Sequence, residues 1–197
     1  MRARGEETRH AVLRAAERVF AERGYAGARM DDVASSVGIR RASLVYYYRD
    51  KRHLYRALTE DLFGGLLQRY RTVLAGPGST RERMVGCLDA WAEQVTQRPG
   101  LLRVLMWELA RVPPVVNAEI VRDVAPIFAA LSDVITTGQR DGAFRPIEPM
   151  RFIMMIGGAT AFLTLGMGAL VASGVPIGAE ELKVQLRDMA ERMLFTD

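Results

Sequence analysis

Between Gly38 and Lys51 the chain reads GIRRASLVYYYRDK: two adjacent arginines, a serine, three consecutive tyrosines and a lysine. These residue types suit one chemistry. An arginine guanidinium can donate two parallel hydrogen bonds to guanine O6 and N7. Serine and tyrosine hydroxyls and a lysine ammonium can donate to phosphate oxygens. A core helix would not carry Arg40 and Arg41 side by side, and a merely solvated one would not present Tyr46 and Tyr47 to water. The stretch reads as a face that meets a polyanion.

Other chemistries find little support. His10 and His53 both lie in the basic first third, and no His/Cys/carboxylate group has ligand spacing. There is no glycine-rich phosphate loop and no local nucleophile–base pair, so no catalytic residue, metal or cofactor is expected. A single cysteine, Cys87, allows no internal disulfide and fits a reducing compartment. The N-terminal MRARGEETRH has no apolar run of the signal-peptide kind, so a cytoplasmic location is expected.

Charge distribution points the same way. Residues 1–75 hold fifteen Arg/Lys against nine Asp/Glu, whereas 76–197 hold twelve against fourteen. A basic first third on a slightly acidic remainder places the polyanion partner at the N-terminal part. Twenty-five of the 27 basic residues are arginine, an excess that genomic compositional bias explains in part and that decides little by itself.

The elements that position these residues are helical. Helical spacing of apolar residues appears nearly throughout the 197 residues, giving an all-α chain of about nine helices without a convincing strand. Val12, Ala16, Val19 and Phe20 mark a first helix over 6–23, stopped by Gly24. Short helices follow over about 30–37 and 41–47, then a long one from Lys51 with Leu54, Leu58, Leu62 and Leu66 in one row. AGPGS, residues 75–79, is the clearest break. Further helices are expected over 80–97, 100–111, 115–139, 149–172 and 179–194, with Pro126 kinking or splitting the third of these.

Residues 30–47 meet the demands of a helix-turn-helix. Ala34 is the small residue where the second helix crosses the first, and Gly38, four positions on, tolerates a left-handed turn. Val33, Val37, Ile39 and Leu44 supply inner-face anchors. Arg40, Arg41, Ala42 and Ser43 then lie at the end of the second helix that enters a major groove. Lys51 starts the next helix, where its charge and the exposed N–H groups favour phosphate. Tyr46 and Tyr47 are expected on DNA, and Tyr48 in the core against the first helix.

Residues 15–58, AAERVFAERGYAGARMDDVASSVGIRRASLVYYYRDKRHLYRAL, resemble the DNA-binding domain of the TetR family of bacterial transcriptional regulators. The resemblance rests on Phe20 with Gly24-Tyr25, on Met30 through Gly38, and on Leu44, Tyr46 to Tyr48, Lys51 and Leu54. It implies an all-helical homodimer, with a three-helix DNA-binding domain over 1–50 and a larger domain over 51–197 that binds a ligand and dimerises through a four-helix bundle. By position it puts DNA contacts on Arg41, Ala42, Ser43, Tyr46, Tyr47 and Lys51, and Arg29, Met30 and Arg40 complete the expected set. Arg29 and Arg40 stand where the family often has a capping Ser or Thr, and Val45 replaces a common Tyr. Each missing cap costs about 1 kcal/mol, which phosphate contacts could offset only on DNA.

The second part carries two expectations. Tyr70, Met84, Trp91, Met106, Trp107, Glu108, Phe128 and Met155 are read as lining a site for a small apolar or aromatic effector, with ordinary core packing as the alternative for each. From Phe152 to Ala179 there is no charged residue, long enough to span a bilayer. That stretch is rich in glycine and lacks a flanking Lys cluster or aromatic belt, so it reads instead as a helix covered by its own domain and by a partner copy. The expected dimer residues are Phe162, Leu165, Ala169, Leu182, Leu186, Met189 and Met193, with core packing inside one subunit as the alternative for some of them.

The sequence thus predicts a DNA-binding regulator, a repressor released from a palindromic double-stranded operator by a small molecule, acting as a homodimer without a membrane partner. The rival on the same fold is an architectural or division-control protein with no effector.

Overall fold

A computed structural model describes residues 2–109, 118–166 and 178–196. Among them are nine α-helices: α1 Arg2–Gly27, α2 Met30–Val37, α3 Arg41–Tyr47, α4 Lys51–Ala75, α5 Thr80–Gln97, α6 Gly100–Leu109, α7 Ala118–Arg140, α8 Pro149–Ala161 and α9 Ala179–Met193. A π-helical turn, Phe162–Gly166, extends α8. The described residues form no sheet, only a single antiparallel bridge between Phe144 and Phe195. The all-α expectation holds. Pro126 does not split α7, which runs through it to Arg140.

Local signals explain several boundaries. α5 opens with a capping box: Ser79 Oγ accepts from Glu82 N at 3.2 Å, and Glu82 Oε2 accepts from Ser79 N at 2.7 Å. The Ser79 N–H, together with the Ser79 hydroxyl donating to the same Oε2, holds the Glu82 carboxyl below its ordinary range. α8 starts at Pro149, where the Glu148 carboxylate receives Met150 N and Arg151 N. α1 passes Gly24, whose φ of 64° and ψ of 176° bend the chain, and resumes one short turn to Gly27.

The chain divides into two compact units, one of residues 1–62 and 100–121, the other of 63–99 and 122–197. In the first, α1 packs on α2 and α6, and α2 on α3. Its core includes Val12, Ala16, Phe20, Val33, Leu44, Tyr48, Leu54, Leu58 and Leu101. Thus α6, which follows α5 in sequence, completes the unit that holds α2 and α3. In the second, α9 packs on α5 and α8 around Leu66, Met84, Leu88, Phe152, Leu182 and Leu186. Its C-terminal end is fastened by Phe195, which stacks on Phe144 and lies under the Arg81 guanidinium.

Candidate nucleic-acid interface

α2 ends at Gly38, in the left-handed region at φ 71°, ψ 27°, a conformation that costs glycine little. Gly38 N donates to Ser35 O at 3.1 Å and Ile39 N to Ala34 O at 3.0 Å, so the turn satisfies the last carbonyls of α2. Buried Ala34 and Val33 face the inner side of α3, where Leu44 is the buried residue. With Leu44 turned in, the other side of this seven-residue helix turns out. Arg41, Ala42, Ser43, Val45 and Tyr46 are exposed there, and Arg40 precedes them.

Tyr46 is 86% exposed and meets the edge of the Tyr47 ring at 5.4 Å. Tyr48 is fully buried, and Arg9 Nε donates to its hydroxyl at 3.2 Å. Burial raises the pKa of that phenol. Three neighbouring tyrosines thus divide into an outward pair and an inward anchor, because helical spacing puts Tyr48 one turn beyond Leu44.

Neither Arg29 nor Arg40 caps its helix with a side-chain hydrogen bond; both have extended backbones, at φ −122° and −73°. Arg41 Nη1 donates to Asp31 Oδ2 at 2.8 Å, which links the start of α3 to the first turn of α2. Arg23 pairs with the neighbouring Asp32. Asp31 was not singled out by the sequence, where its only signal is an acid in a helix's first turn. Asp50 was also missed: its Oδ1 accepts from His53 N at 2.7 Å, a bond that lowers the carboxyl pKa and caps α4.

Several expected site residues sit elsewhere than the sequence reading put them. Met30 is 8% exposed and belongs to the inner face of α2, so its side chain is core rather than a DNA contact. Lys51 points back into the first unit: its Nζ donates to Ala28 O at 3.0 Å and Ala26 O at 3.2 Å and lies 4.7 Å above the Tyr25 ring.

Trp107 and Glu108 are not interior residues of the second unit. Trp107 Nε1 donates to Ala21 O at 3.0 Å, and its ring lies where a Cβ on Gly24 would approach within 3.1 Å. Glu108 is buried and accepts from the Tyr55 hydroxyl at 3.0 Å. Met106, on the same helix, is half-buried. The sides of α6 that meet α1 and α4 thus take the large polar-tipped residues that the sequence reading assigned to a ligand.

In the second unit, Tyr70 and Met84 are buried and Phe128 is half-buried. Burial raises the Tyr70 phenol pKa and pushes the Cys87 thiol up to about 12, which leaves little thiolate at neutral pH. Trp91 Nε1 donates to Thr160 Oγ1 at 3.0 Å, and Thr160 Oγ1 donates in turn to Ile156 O at 2.7 Å. Met155 is 46% exposed, turned away from the buried Phe152, Ile153 and Ile156. It is a surface residue of α8 in this chain, not a lining one.

Of the expected dimer residues, Phe162 is 57% exposed and Leu165, Met189 and Met193 are half-buried. Leu182 and Leu186 are fully covered within their own chain, because α9 turns them toward α5 and α8. They are core. Ala169 lies outside the described residues. Among the residues searched, no helix is long and apolar enough to cross a membrane.

The comparisons agree with this geometry. Residues 12–58 match the family model described as bacterial regulatory proteins, tetR family, and residues 81–193 match the tetracyclin repressor-like C-terminal domain. The transcriptional regulator RutR of Escherichia coli (strain K12) is 26% identical over 153 residues, 76% of this chain and 70% of that protein. The transcriptional repressor SCO4008 of Streptomyces coelicolor is 26% identical over 197 residues, 96% of each chain. Among solved structures, the ketosteroid transcriptional regulator KstR2 of Mycobacterium tuberculosis superposes with a TM-score of 0.73 at 20% identity, covering 96% of this chain and 95% of that one. With a capped left-handed turn, an arginine- and tyrosine-bearing second helix and family models matched in both parts, the chain belongs to the tetR family of bacterial regulatory proteins.

Proposed function

We propose that this chain is a ligand-responsive repressor that binds a palindromic operator as a homodimer. The observation that carries the reading is the outward row on α3: Arg40, Arg41, Ala42, Ser43 and Tyr46 stand exposed on a helix fixed by the Gly38 turn and the Leu44 anchor. Arg41 reads a guanine edge, and Arg29, Arg40, Ser43, Tyr46 and Tyr47 hold phosphates. Two copies place two such helices in successive major grooves, about 34 Å apart along the duplex.

Dimerisation runs through the exposed apolar face of α8, where Met150, Met154, Met155 and Phe162 lie at helical spacing, and through Val184 on α9. Those side chains are apolar enough to form a dry interface between identical copies. The effector binds in the second unit around Tyr70, Met84, Trp91 and Phe128, and is apolar or aromatic. It releases DNA only to the extent that it binds the DNA-free state more tightly than the DNA-bound one.

The test is a selection. Purified wild-type protein is mixed with sheared genomic DNA from its own source near physiological salt, and the bound fragments are sequenced. Enrichment of a few promoter-proximal palindromes supports a sequence-specific regulator. Many dispersed sites favour an architectural protein, and no enrichment over random fragments rejects the DNA-binding reading.

A further inference from the structure

Val45 is a branched aliphatic residue among the arginine, serine and tyrosine side chains on the outward face of α3. It is 41% exposed, on a helix whose buried residue is Leu44. Apart from Val45 and its neighbour Tyr46, every exposed large apolar side chain among the described residues lies on α6 or later in the chain. Valine is a weak helix former, and in water its two methyl groups gain nothing. Neither helix propensity nor packing within the chain accounts for it on a seven-residue helix.

Its place on the helix gives it a neighbour. Residues three and four apart adjoin on a helix surface, so Val45 is flanked by Ala42 and Arg41. It lies one turn, about 6 Å, beyond Arg41 on the same flank. Successive base pairs are about 3.4 Å apart. With Arg41 on a guanine edge, Val45 comes to a base pair one or two steps along the groove.

The chemistry then selects the base. Guanine, adenine and cytosine are read in the major groove through donors and acceptors, and thymine alone adds a C5 methyl group. Valine has no donor or acceptor to offer. Against O6, N7 or an exocyclic amine it would displace water without replacing the hydrogen bond, which costs free energy. Against the thymine methyl it removes apolar surface of both partners from water.

We infer that Val45 is a specificity-determining residue that selects thymine by its C5 methyl, one or two base pairs from the guanine read by Arg41 in each half-site. The inference deepens the operator-binding reading above and rests on it. Binding is measured for wild type and Val45→Ala on an operator duplex recovered in the selection and on a scrambled duplex of the same composition. It is measured again on operator duplexes in which each symmetry-related pair of thymines in turn is replaced by deoxyuridine, which lacks only the methyl.

Wild type should lose about fourfold per half-site at one thymine, the worth of one buried methyl group, and little at the others. Val45→Ala should weaken operator binding by a similar factor with the salt slope kept, because no phosphate contact is lost. It should bind the thymine and deoxyuridine duplexes alike at that position, the mark of a direct pair. Both proteins should hold the scrambled duplex equally. Alanine is the better helix former and removes no buried side chain here, so the variant keeps its fold.

An operator without thymine within two base pairs of the position that Arg41→Ala relaxes overturns the inference. So does full affinity on every deoxyuridine duplex, and so does a methyl effect that persists undiminished in Val45→Ala. If wild type selects no sequence, the operator reading fails and the inference falls with it. If it selects an operator but ignores the methyl, the inference alone fails.

Discussion

The outward faces of α3 and α8 leave opposite kinds of side chain uncovered. α3 exposes Arg41, Ser43 and the hydroxyl-tipped Tyr46, whereas α8 and its π-helical turn expose Met150, Met154, Met155 and Phe162. The first set can keep water and ions nearby while binding, and its affinity for a polyanion must fall with salt. The second gains only by leaving water, so what it binds must be apolar and closely fitted. Ion pairs occur in both units, but with different neighbours. In the second unit, Arg187 pairs with Asp89, Lys183 with Glu93 and Glu180, and Arg192 with Asp188, away from the face that α8 exposes. α3 contains no acid, and the one that serves it, Asp31, comes from α2.

The largest effect should come from putting a charge on the apolar face. Phe162→Glu would bury two like charges across a two-fold contact. It should weaken the dimer by about 2–4 kcal/mol, read as a shift to monomer in sedimentation velocity at micromolar protein. Operator affinity should fall with it if, as proposed, each monomer holds one half-site, while thermal stability of the monomer should change little at this exposed position. A variant that stays dimeric would move the interface off α8.

Next comes the polar face. Arg41→Ala should cost about 1–3 kcal/mol on the operator and relax the preference at one base position. Equal losses on operator and scrambled duplexes would make Arg41 a phosphate contact instead. A third change leaves both faces intact. Trp91→Phe removes the bond to Thr160 that joins α5 to α8, and should lower the urea-unfolding stability by about 1 kcal/mol without altering operator preference.

The two faces differ in how far the sequence disclosed them. The turn was legible because its requirements are local: Ala34 and Gly38 four apart, Leu44 on the inner side, and the helix limits of α2 and α3 follow. The inward turn of Tyr48 was legible for the same reason. The setting of α6 was not. Periodicity tells which side of a helix is apolar but not which neighbour covers it, so Trp107 and Glu108 read as ligand-lining when they serve α1 and α4. The same limit left Leu182 and Leu186 on amphipathic α9 open between a partner copy and their own subunit's core, and the structure makes them core. The acceptors of Lys51 lie 25 and 23 residues away, beyond any local pattern. Of the two outcomes expected at Pro126, a kink or a split, the split does not occur: the proline removes one backbone donor, and α7 bears that loss without ending.

The smallest expected effect bears most directly on the contrast between the faces. The Asp31–Arg41 pair, at 2.8 Å, is more than half exposed on both sides, so it adds at most about 1 kcal/mol to folding. Its consequence for DNA is larger in kind than in size. The Asp31 carboxylate repels phosphates wherever the protein lands, but where Arg41 meets a matching guanine, as proposed, its hold on the arginine fork offsets that repulsion. On scrambled DNA nothing does. Asp31→Asn should therefore raise scrambled-duplex affinity about threefold and leave operator affinity nearly unchanged, narrowing the ratio between them. If both affinities rise together, Asp31 is a general repellent and α3 discriminates without it. If neither moves, the carboxylate stays clear of the duplex, and the polar face ends at α3 itself.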